Sequence, residues 1–191
     1  MKYRNEKESG FSYIDVMCAI VILMVGILAL VSALTANMIR TYESERRIIA
    51  KQMALSTIES IISAKEISRV GVIEGWDSLK NVQTNVPNGQ INGIFLTGFN
   101  PVREDLGWDG VAGTIDDACP SGSPCTVTGR TTNTSDEIKN MQRKIEIKDL
   151  EDPERPTPTY SIYRREVIVT IRFNVNQAVR EETVSTIITK Y

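Results

Sequence analysis

The sequence predicts an α+β fold: a long N-terminal helix, with a membrane half and an amphipathic half, packed on a small antiparallel β-sheet. Three patterns carry this expectation. Val16–Ile39 is a run of 24 residues without a charge. After Arg40, apolar residues recur at three- and four-residue steps, the period of a helix with one buried face. The last third of the chain alternates apolar and polar residues in short runs divided by turns, the period of half-buried strands.

The charge-free run comes first. As a helix it is about 36 Å long, enough to cross a hydrocarbon layer of about 30 Å with some tilt. Gly26 is tolerated inside a membrane helix. A cleaved secretory signal has an apolar core of only about 7–15 residues. Here the nearest small-residue cleavage site, Val31-Ser32-Ala33, lies inside the run rather than after it. No Pro occurs before Pro87 and no Gly between Gly26 and Gly71, so nothing breaks the helix at Ile39. Ile48, Met53 or Gln52, Leu55, Ile58 and Ile62, with Ile49 and Ile61 alongside, form the expected apolar face. Arg46, Arg47, Lys51, Glu59 and Lys65 take the other. One helix from about Ser12 to about Ser68 follows, on the order of 85 Å long. The alternative is a membrane helix and a separate second helix, with a kink near residues 32–37.

From Gly71 to Gly129, Gly, Asn, Asp, Thr, Ser and Pro are dense and apolar runs are short. This region reads as loop, with a candidate strand at Gln90–Thr97. Trp76, Trp108, Phe95 and Phe99 fall in it and are read as anchors of loops on the core, since no basic cluster surrounds them to make a nucleic-acid platform. Three strands follow: Arg143–Leu150, Ser161–Asn174 with Val167, Val169, Ile171 and Phe173 on one face, and Thr183–Thr189. A Pro-rich turn, Glu151–Pro158, separates the first two. Consecutive strands on short connections suggest a meander. The amphipathic half of the helix is the available cover for its apolar face.

Composition narrows the function classes. The chain has 191 residues, 22 Lys and Arg against 24 Asp and Glu, and no histidine. The near-balanced charge argues against a nucleic-acid binder. Absence of histidine removes Ser-His-Asp and Cys-His catalysis and His-ligated zinc. No Gly-rich phosphate loop ending in Gly-Lys-Ser/Thr is present. No enzyme is expected.

One residue at the mouth of the apolar run is out of place for a plain anchor. Asp15 follows Gly10 by five residues, and an acid at the edge of a membrane segment is a functional candidate that calls for a partner. Gly10-Phe11-Ser12-Tyr13-Ile14-Asp15-Val16, preceded by the polar stretch MKYRNEKES and followed by the long apolar run, resembles the N-terminus of type IV pilins and pseudopilins. The stretch VMCAIVILMVGILAL is similar to that of PilV-type minor pilins. The resemblance implies a type IV pilin-like fold and a prepilin peptidase that cuts between Gly10 and Phe11 and N-methylates Phe11. It assigns Asp15, where the family carries Glu, to subunit assembly. It further implies a leader at 1–10; with the patterns above, the chain then divides into a transmembrane or filament-core helix at 11–39, an amphipathic helix at 40–70, a variable loop region at 71–130 and the sheet at 131–191. Its expected location is the bacterial inner membrane, single-pass, with the head in the periplasm, and then a pilus or pseudopilus. The expected partners are the peptidase, other pilin or pseudopilin subunits, the inner-membrane assembly platform and membrane lipid. Charge counting leaves orientation open, because Arg40, Arg46, Arg47 and Lys51 follow the span.

If the head lies outside the cytoplasm, Cys119 and Cys125, which bracket CPSGSPC, can oxidise to a disulfide. Cys18 lies in the apolar run and reads as a small filler. Asp105, Asp109, Asp116 and Asp117 sit among Gly turns, the kind of oxygen-rich, pliable segment that a calcium ion needs. An ordinary solvated Asp-Gly turn is the competing reading. A permanently anchored extracytoplasmic binding module, with the 71–130 loop as its binding part, is the alternative to a processed subunit.

Overall fold

The computed structural model describes residues 12–66, 75–88, 90–104, 106–107, 109–118, 136–154, 161–176 and 178–190. The chain divides into two compact units, Met1–Ser44 and Glu45–Tyr191. A single helix, α1, covers Tyr13–Glu66.

In the first unit every described residue from Ser12 to Tyr42 is exposed. The segment is long and apolar enough to cross a membrane. Two of its hydroxyls bond within the helix: Thr35 Oγ1 donates to the Val31 carbonyl at 2.9 Å and Thr41 Oγ1 to that of Asn37 at 3.0 Å. Such internal pairing is what an apolar solvent requires of a polar side chain.

In the second unit the helix buries Ala50, Ala54, Thr57, Ile58, Ile61 and Ala64. This corrects the expected face. Ile58 and Ile61 are in the core, and Ile49 and Met53 pack at its margin, but Ile48, Leu55 and Ile62 are exposed. Ile58 and Ile61 mark the contact together with the alanines at 50, 54 and 64, so size alone does not decide which residues of the helix are buried.

The sheet has four strands, β1 (Asn100–Arg103), β2 (Glu137–Leu150), β3 (Arg164–Val175) and β4 (Ala178–Thr189), in the order β1-β2-β3-β4 with every pair antiparallel. The meander is therefore as expected, with an extra short edge strand. Val167, Val169, Ile171, Phe173 and Val175 of β3 are buried together with Met141 and Ile145 of β2 and Ile188 of β4. The expected face of β3 is the observed one. β4 begins earlier than its apolar content suggests. Its Glu181 and Glu182 are paired instead with Arg172 and Arg47, at 2.7 and 2.9 Å. Val175 faces Ala178, so β3 and β4 join through two residues, and Asn176 takes the left-handed conformation the tight turn needs (φ 55°).

No strand forms at 90–97. Only an isolated parallel bridge, Asn81 with Phe95, occurs there. The segment is instead tied to neighbouring loops: the Ile94, Phe95 and Leu96 N–H groups donate to the carbonyls of Ser78, Lys80 and Gly113. Its approach is so close that a Cβ on Gly93 would collide with the backbone of Lys80 and Asn81. Phe95 enters the core fully, beside Leu79 and the Trp76 of a four-residue helix, α2 (Gly75–Ser78). Trp76 and Phe95 thus anchor loops on the core. The Asn81 amide continues the same arrangement: its Nδ2 donates to the Ile145 carbonyl at 2.7 Å, and its Oδ1 accepts from the Ile147 N–H at 2.8 Å.

Candidate functional site

Asp15 stands in the first turn of α1. Its Oδ2 accepts the Ser12 N–H at 3.2 Å, while the Ser12 carbonyl accepts the Asp15 N–H at 3.0 Å. An acid three residues after a Ser, reaching back to the otherwise orphaned N–H, is half of a capping box. Its negative charge also suits the positive end of the helix. The pattern Ser-x-x-Asp before an apolar run is readable in the sequence, and the expectation of an assembly role passed over it. Gly10 and Phe11 lie outside the described residues.

Of the four candidate calcium ligands, Asp105 lies outside the described residues. Asp109, Asp116 and Asp117 fall in one loop, and a single turn of 3-10 helix, Ile115–Ala118, brings the last two into the interior. Their oxygens face donors. Asp109 Oδ1 accepts the Val111 N–H at 2.7 Å, Asp116 Oδ2 the Asp109 N–H at 3.2 Å, and Asp117 Oδ2 the Gly113 N–H at 2.7 Å. The Thr114 hydroxyl lies against both Asp116 and Asp117. Asp117 also forms an ion pair with Arg143 of β2. Among the described residues no group of three or more His, Cys, Asp and Glu side chains is placed to hold a metal ion. What the cluster does is fasten the loop to the head: Arg143 Nη1 reaches Thr57 Oγ1 of α1 at 3.5 Å, and the Ala112 N–H donates to Ser60 Oγ at 3.3 Å. Gly113 is required here. Its φ is 93°, and a Cβ would strike the Ile145 side chain.

Burial raises the Asp117 carboxyl above its ordinary value of 3.8, and the neighbouring Asp116 pushes the same way. Arg143, the Gly113 N–H and Thr114 pull back without cancelling the rise. Burial likewise lowers Arg143, against the pull of Asp117. Both directions say the same thing: for this pair, loss of water outweighs mutual attraction. Folded Asp117 therefore binds a proton at a higher pH than unfolded Asp117. Its contribution favours the fold fully below 3.8 and is lost as pH rises through the folded value. Asp117→Asn cannot titrate. As pH falls from about 7 to about 4, the wild type should gain stability relative to that variant. Paired urea titrations at several pH values measure this difference. A difference that stays flat, or moves toward the variant, contradicts the assignment.

A second buried guanidinium lies across the sheet. Arg165 donates through Nε to Asp149 Oδ1 at 2.7 Å and through Nη1 to the carbonyls of Leu79, at 3.2 Å, and Trp76. It stacks 4.4 Å from the Trp76 ring centre, and the Trp76 indole N–H donates to the Ile162 carbonyl at 3.1 Å. Both arginines lie on the buried face of their strands. Parity is the signal that finds them: Arg143 shares a face with Ile145, and Arg165 with Val167 and Val169. Phe99 is covered by cations, with Arg172 at 3.5 Å and Lys144 at 5.4 Å from its ring centre. Cys18 is a free, exposed thiol. Cys119, Cys125 and Trp108 lie outside the described residues.

Comparison with known proteins gave no matching family model, no matching curated protein and no matching solved structure.

Proposed function

We propose that this chain is a minor type IV pilin of the PilV-like kind, or a pseudopilin: a membrane precursor that prepilin peptidase converts into a structural subunit of a pilus or pseudopilus. The observation that carries the reading is the junction Gly10-Phe11-Ser12-Tyr13-Ile14-Asp15 leading directly into a helix whose apolar surface is exposed on all sides through Tyr42. The precursor sits in the bacterial inner membrane with the leader inside and the head in the periplasm. Its partners there are lipid, the peptidase and the assembly platform. Cleavage after Gly10 leaves a cationic amine on Phe11, one helical turn from the Asp15 carboxylate. In a stack of subunits that amine can meet the Asp15 of a neighbour. In an apolar core such a pair is weakly screened and fixes register. Removal of the polar leader is what allows the helix to leave lipid for the core of a filament. The role is assembly rather than catalysis.

The test is N-terminal peptide mass spectrometry on protein from native membranes and sheared filaments. The expected peptide begins at Phe11, carries one added methyl group and occurs in both fractions. Gly10→Val should leave the chain beginning at Met1 and absent from sheared material. A wild-type chain that still begins at Met1 beside an active peptidase sinks the proposal and favours the permanently anchored binding module.

A further inference from the structure

The exposed helix of the first unit has a definite length between two aromatic residues. Tyr13 and Tyr42 flank it, 78% and 40% exposed. The 29 residue steps from one to the other correspond to about 43 Å along a helix. A bilayer with its headgroup layers is about 40–45 Å thick. Tyrosine favours those layers, where its ring is half solvated and its hydroxyl is wet. The charges bracket the same interval. Asp15 lies just inside one end, with its carboxylate on the Ser12 N–H, and exposed Arg40 lies just inside the other. A guanidinium two residues short of Tyr42 can extend along the helix to the phosphate layer, which it complements in charge. Ile14 to Leu34 are apolar around the whole circumference except for Asp15, Cys18, Gly26 and Ser32. An all-round apolar surface asks for an all-round apolar solvent rather than a groove on one partner.

We infer that the occupant of this surface is a phospholipid bilayer, entered in a fixed register with Tyr13 in one headgroup layer and Tyr42 in the other. Arg40 binds phosphate on the Tyr42 side. The deepest point is then near Ile27 and Leu28, midway between the tyrosines. This rests on the membrane part of the proposed function and does not depend on cleavage at Gly10.

The test places p-acetylphenylalanine, one position at a time, at Tyr13, Ile27 and Tyr42 of the full chain and attaches a nitroxide through the ketone. The chain is reconstituted in vesicles of phosphatidylethanolamine and phosphatidylglycerol. Accessibility to oxygen and to a water-soluble nickel chelate reads depth by electron paramagnetic resonance. Labels at 13 and 42 should report equal, headgroup-level depths, and the label at 27 the bilayer centre. Arg40→Gln, which removes the phosphate-binding cation, should shift the label at 42 inward. Unequal depths at 13 and 42, or a centre displaced from 27 by more than a turn, overturns the register while leaving membrane insertion intact. Aqueous accessibility at all three positions overturns insertion as well.

Discussion

Arg143→Met should destabilise the head by about 3–5 kcal/mol at neutral pH, the loss seen when one partner of a buried ion pair is removed. The Arg143 and Asp117 side chains are 6% and 9% exposed, so water cannot replace the missing guanidinium. The Asp117 carboxylate would keep the Gly113 N–H and Thr114 but lose its neutralising charge. Asp117→Leu added to Arg143→Met should restore most of the loss, because it removes the stranded charge. Acidification should rescue the single variant in part, as Asp117 takes up a proton and ceases to be an ion. Urea unfolding of the full chain in detergent micelles, followed by tryptophan fluorescence, measures all three. A single variant within about 1 kcal/mol of wild type, or a double variant no better than the single, would show that the pair is not buried as described.

The second large effect belongs to Arg165. Arg165→Lys keeps the positive charge and should still cost about 2–4 kcal/mol, because an ammonium cannot serve two carbonyls and Asp149 while lying flat on an indole. The pair with Asp149 contributes little of this: Asp149 is 46% exposed, against 3% for Arg165, and exposed ion pairs are weak. Asp149→Asn should therefore cost under about 1 kcal/mol. The contrast between the two variants is the discriminating result, read from urea midpoints and from the emission of Trp76, whose ring the guanidinium covers. Equal losses would place the energy in the ion pair and contradict the carbonyl and ring contacts as the main ones.

The long helix and the meander were legible because their cause is periodic. Val167, Val169, Ile171 and Phe173 recur at every second position, and a strand puts such residues on one face. The face of α1 is only partly legible, because size does not decide burial: Ala50, Ala54 and Ala64 are buried beside Ile58 and Ile61, while Ile48, Leu55 and Ile62 are exposed. The strand expected at 90–97 failed for a different reason. Its apolar residues are local plugs, and partners for its backbone come from loops that sequence alone does not bring near. The acid cluster was half legible. Asp109, Asp116 and Asp117 are neighbours as their spacing suggested, but their partners include Arg143, which is distant in the chain. The capping of Ser12 by Asp15 was written in the sequence and was overlooked in favour of a longer-range role.

The two hydrogen bonds from the Asn81 side chain to β2 have a consequence for how copies of this chain can meet. β2 is 14 residues long and β1 only four, so part of β2 would otherwise present unpaired backbone groups at Ile145 and Ile147. One amide, donating and accepting like a peptide unit, stands in for a missing strand. That blocks a neighbour from zipping onto the sheet at this position, a common route from crowded protein to aggregate. Among the described strands, β4 alone keeps a long edge with no strand beside it. Among the described strands, a neighbour pairing along a long edge would therefore meet β4 rather than β2.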